Sequence, residues 1–180
     1  MVCSLLGRRD GEGGCVVSGV YKQPVSLPAT VKIREKTTID AEPSVVWPFV
    51  ADPVGQAVWN PKLIAVDCES RPVVLGQKFQ AIYRMRGRDN QSDVEVTDCQ
   101  APLRVTFRHR QQGTPGFTDE GYELTQLLNG QTRLVQVIDF GNTSIPWFFQ
   151  AIIWFISRFG WDAEEPYLDR LKRIVESEAA

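Results

Sequence analysis

The chain has 180 residues, 43% hydrophobic and 23% charged, with a formal net charge of −2 and a pI near 5.5. That length buries a substantial core in one domain, and so even a charge balance supplies no global field for nucleic acid. Four cysteines and a single histidine fall at no metal-ligand spacing, so free thiols are expected, with no metal and no cofactor.

Residues 1–29 hold five glycines and two prolines without sustained periodicity. They read as a flexible or loosely docked extension, followed by one domain over 30–180. The opening "MVCSLLGRRDGEGGC" lacks the apolar stretch of a secretory signal, so a cytoplasmic protein is expected. "TVKIREKTTID" then alternates, with Val31, Ile33, Glu35, Thr37 and Ile39 opposite Lys32, Arg34 and Lys36, which predicts a strand with one buried face. "AEPSVVWPFVADP" predicts a short helix ending near Asp52-Pro53, and "VGQAVWNP" a turn or second short helix.

A run of strands follows: 63–69, 78–87, 92–99 and 103–110. "QQGTPG" is a turn by composition, and Asn129-Gly130 joins two further strands as a hairpin. The arginines at 84, 86, 88, 104, 108 and 110 face a strand carrying Asp93 and Glu95, so cross-strand pairing accounts for them without a nucleic-acid partner. The last segment, "YLDRLKRIVES", predicts a helix with Leu168, Leu171 and Val175 on one face.

Between strands and terminal helix lies "IPWFFQAIIWFISRFGW", residues 145–161, in which Arg158 is the one charge. Its apolar stretch is too short to span a bilayer, which takes roughly 20 residues. On a helical wheel Trp147, Trp154 and Trp161 fall within about 40° of one another. Phe148, Ile152 and Phe155 make a second stripe. Exposed rings would forgo about 3 kcal/mol each, so something covers them. Three coverings are open: the rest of this chain, a bilayer surface contacted peripherally, or a protein partner such as a second copy in a homodimer.

"TTIDAEPSVVWPFVADPVGQAVWNP", with Trp47, Asp52-Pro53 and Trp59-Asn60-Pro61, resembles the opening of the polyketide cyclase/dehydrase and lipid-transport group (SRPBCC) of the START/Bet v 1-like superfamily. The hairpin at 130–134 and the ending "YLDRLKRIVES" are similar too. The resemblance implies an α+β helix-grip fold, a curved antiparallel sheet wrapped around a long C-terminal helix with a cavity between them. Members bind lipids, sterols, polyketides, quinones or plant hormones, and a minority catalyse cyclisation or dehydration.

Strand alternation then assigns a lining. Phe79, Tyr83, Met85, Phe107, His109, Tyr122 and Gln136 fall on inward phases, joined by Phe148, Ile152 and Phe155, with Trp59 at an entrance. Large rings with a few polar groups suit a small hydrophobic or amphipathic ligand. Glu35 and His109 are the weak catalytic candidates: Glu35 partnered with His109 or Tyr122 could do acid–base work. The simpler alternatives are a strand-end histidine and a solvated acid near the sheet edge. Three functions remain open: a lipophile-binding or transport protein, a cyclase/dehydratase, and a regulatory protein docking through its tryptophans.

Overall fold

The computed structural model describes residues 32–68, 71–85, 87–143 and 167–179. The expectations placed on residues 1–29, on Trp147, Trp154 and Trp161, and on Phe148, Ile152 and Phe155 lie outside those residues. The chain runs β1 (Lys32–Ile39), α1 (Pro43–Ala51), α2 (Pro53–Trp59), β2 (Leu63–Asp67), β3 (Lys78–Met85), β4 (Arg88–Gln100), β5 (Arg104–Gln111), β6 (Gly116–Gln126), β7 (Thr132–Thr143) and α3 (Tyr167–Ala179). The strands form one antiparallel sheet in the order β1-β7-β6-β5-β4-β3-β2.

Alternation does what the sequence predicts. Along β1 the exposed Lys32, Arg34 and Lys36 interleave with half-buried Ile33, Glu35 and Thr37, and Ile39 ends the strand fully buried. At the β6–β7 connection Asn129 and Gly130 both adopt left-handed backbone, φ 71° and 77°, conformations that asparagine and glycine accept at least cost. β4 begins four residues earlier than expected, pairing Met85 with Arg88. Its first residues are polar and lack an apolar period, and they are held by a bidentate Arg84–Asp89 pair. On the same outer surface Arg108 clasps Asp119 at 2.8 and 2.9 Å, and Arg110 reaches Glu95 at 3.1 Å. Arg84, Arg108 and Arg110, and Arg104 through Asp98, are thus occupied across strands.

Two prolines shape the first helices. Pro43 and Pro53 each sit in the first turn, where no amide donor is needed. Asp52 separates α1 from α2 and accepts from the Val54 amide at 3.0 Å, capping the second helix. The Trp59 indole donates to the Phe49 carbonyl at 2.8 Å, and the Gln56 amide to Val50 at 2.7 Å, fastening α2 onto α1.

α3 lays Leu168, Leu171 and Val175, all buried, into one cluster with Ile39, Trp47, Trp59, Leu124 and Leu134. It packs against β1, α1 and α2. The helices therefore close over one end of the sheet's inner face, where β1 finishes and β7 begins. Among the described residues no helix is long and apolar enough to cross a membrane.

Leu171 is fully buried at this junction. Leu171→Ala is expected to cost about 2–5 kcal/mol in chemical denaturation, whereas Arg84→Ala, at an exposed pair, leaves the midpoint nearly unmoved.

Candidate functional site: a cavity beyond the packed core

Followed along each strand, the inner face changes character within one inward step. Ala81, Val94, Phe107 and Tyr122 are buried in the core. The next inward residues, Tyr83, Ser92, His109 and Glu120, line a cavity of about 310 Å³. On β7 the step runs from Gln136, 2% exposed, to Ile138. Ile33, Met85, Ile138 and Phe140 supply apolar wall, and Asn60 and Lys62 enter from the connection between α2 and β2.

Glu120 stands on that boundary. One carboxylate oxygen accepts from the Tyr122 hydroxyl at 2.7 Å and from the Gln136 amide at 2.6 Å. The other lies 3.2 Å from Nε2 of His109, with both side chains about six-sevenths buried. Burial alone would raise this carboxyl. The imidazole, the phenol and the amide together outweigh it and hold Glu120 below the usual carboxylate range. The approach of His109 is poorly aligned for a hydrogen bond, so Nε2 is left without one; the buried Oε1 of Gln136 is likewise unpartnered among the described residues.

Tyr83 stands edge-on to the His109 ring, centroids 5.6 Å apart. Burial, then the charge of Glu120, pushes its phenol well up, so it remains a proton donor at any ordinary pH. Beneath, Tyr122 is wedged edge-on between Trp59 and Phe107, at 6.1 and 6.4 Å, and Phe79 abuts Phe107 at 6.2 Å. These ring contacts aim the Tyr122 hydroxyl at Glu120.

Of the residues singled out in the sequence, Tyr83, Met85 and His109 line the cavity. Phe107, Tyr122 and Gln136 point inward but belong to the buried layer one step below, and Phe79 lies two steps below. Trp59 is not at an entrance: it is fully buried, because its indole is satisfied by a backbone carbonyl. Glu35 does not meet His109 or Tyr122, whose partner is Glu120. It sits half-buried on the edge strand, its carboxyl raised by burial, lowered by Lys62 and raised by Asp169 of α3. Glu120 was missed, although the phase that places Tyr122 inward places the residue two before it inward as well. Its neighbour Asp119 faces out to Arg108.

An antiparallel sheet gripping a C-terminal helix, with a ligand-sized cavity on its inner face, defines a helix-grip protein of the START-like kind. The chain belongs to the polyketide cyclase / dehydrase and lipid transport family, whose model matches residues 30–176. Solved structures share the fold: a Thermus thermophilus protein (15% identity, 83% of this chain and 99% of that one, TM-score 0.62), a START superfamily protein from Mycobacterium smegmatis (12%, 82% and 95%, 0.59) and a Chromobacterium violaceum protein (20%, 81% and 97%, 0.58). No functionally curated protein is detectably similar in sequence.

The lowered carboxyl of Glu120 links stability to pH. Its folded value lies below the ordinary 4.5. The stability it contributes is therefore present above that value and lost as pH falls through the lower, folded one. Melting temperatures of the wild type should drop more steeply below pH 4.5 than those of Glu120→Gln; parallel curves would mean Glu120 is not held ionised.

Proposed function

We propose that the protein binds a small hydrophobic or amphipathic molecule, lipid-, quinone- or polyketide-like, in this cavity, and that it serves to carry it. The observation behind this reading is the combination of wall and polar groups in one space. Ile33, Met85, Ile138 and Phe140 offer an apolar bed, while Tyr83 presents a hydroxyl with no partner among the described residues. About 310 Å³ is at the small end of ligand pockets, which run roughly 300–1,000 Å³. An apolar body lies against the aliphatic wall, and a polar end accepts a hydrogen bond from Tyr83.

A second reading is favoured by one contact. His109 at 3.2 Å from the buried Glu120 has the arrangement of a base oriented by a carboxylate, with Tyr83 beside it to polarise a carbonyl. A cyclase or dehydratase working on a folded carbonyl chain would use those groups.

Native mass spectrometry of protein purified without detergent separates the readings. A carrier releases the same bound molecule from wild type and from His109→Asn, whereas a dehydratase variant releases one heavier by a water than the wild type does. Protein that carries nothing and takes up no lipophile would remove the cavity-binding reading. Tyr83→Phe, which deletes one neutral hydrogen bond, is expected to weaken a bound carbonyl ligand about threefold to tenfold.

A further inference from the structure

The polar groups of the cavity differ in sign as well as in position. Resting on the cavity-binding reading above, we infer that the site selects lipophiles whose polar end is an uncharged carbonyl or hydroxyl and rejects carboxylates of the same shape, with Glu120 as the selecting residue.

Glu120 cannot turn away from an incoming ligand. One of its oxygens is fastened to Tyr122 and Gln136, from its own strand and the next, and the other faces His109. The group best placed to meet a ligand head is the Tyr83 hydroxyl, whose ring stands 5.6 Å from that of His109. A carbonyl or hydroxyl there accepts from the phenol without facing the carboxylate as a like charge. A carboxylate there would be a second anion beside the first. For charges roughly 6 Å apart in an effective dielectric of about 20, that repulsion weakens binding about a hundredfold.

Three other groups act on this field. Lys62, the lysine of the described lining, enters from the connection between α2 and β2, and its field is shared with Glu35. Asp169 on α3 adds to the negative side of that group. A proton on His109, 3.2 Å from Glu120, would offset part of the carboxylate's field, so selection against acids is strongest with the ring neutral. With the ring neutral, electrostatics at the inner end are set by one fixed carboxylate. Its donors hold it in the ionised form, consistent with the direction of its pKa.

Three fluorescent probes with one body test the inference: pyrenebutanol, pyrenebutyric acid and pyrenebutylamine, titrated into the full chain near neutral pH. Burying either charged head costs desolvation, so the alcohol should bind tightest. The amine should nevertheless exceed the acid by at least about tenfold, because only the acid meets a like charge. Glu120→Gln should bring amine and acid within about threefold of each other, and Lys62→Gln should leave the acid the weakest probe. An acid that binds as well as the amine in wild type overturns the inference without any variant. So does a difference that survives in folded Glu120→Gln, or acid binding that depends on Lys62. An amine bound more tightly than the alcohol overturns the uncharged class. Failure of all three probes to bind would instead overturn the cavity reading, and this inference with it.

Discussion

The inner face of a half-apolar sheet has to be covered along its length, and α1, α2 and α3 cover one end of it. Among the described residues, the site follows from where the cover by these helices stops. Up to Ala81, Val94, Phe107, Tyr122 and Gln136 the face is packed; one inward step further it lines a cavity. The period of two along a strand makes the transition abrupt, since no residue lies between the core position and the cavity position on the same face.

Glu120 is where this constraint becomes chemistry. A carboxylate taken out of water costs several kcal/mol unless donors replace its hydration. Here the donors come from the core side. Trp59 and Phe107 clamp Tyr122, the Tyr122 hydroxyl and the Gln136 amide hold one oxygen, and the second oxygen is left toward His109 at the cavity. Packing thus reaches the site through a short chain of contacts. A loss of ring packing at Phe107 would be felt at His109 although the two do not share a hydrogen bond.

The outer face obeys the opposite rule. Its charges pair across neighbouring strands, Arg84 with Asp89, Arg108 with Asp119, Arg110 with Glu95, and Arg104 with Asp98. Such exposed pairs contribute little to stability individually. They do keep both signs interspersed over the described part of the sheet.

Adjacent residues Asp119 and Glu120 show how much could be read in advance. Strand periodicity, the Asn129-Gly130 turn, the proline-opened helices and the apolar stripe of α3 were all legible, because each is a local pattern with a local physical cause. The same alternation placed Tyr83, Met85 and His109 correctly on the inner face. It could not say how far the covering helices reach, so Phe79, Phe107, Tyr122 and Gln136 were expected in the cavity and lie in the core. It also named Glu35, an acid on the otherwise apolar face of an edge strand, as a weak catalytic candidate, and passed over Glu120, hidden beside another acid. By itself the sequence determined which side chains face inward, since that depends on a backbone repeat carried within each strand. Only the tertiary structure decided which inward groups meet. The His109–Glu120–Tyr122–Gln136 cluster is drawn from three strands, and strand register together with the depth of helix cover, both long-range outcomes of packing, sets the distances among them.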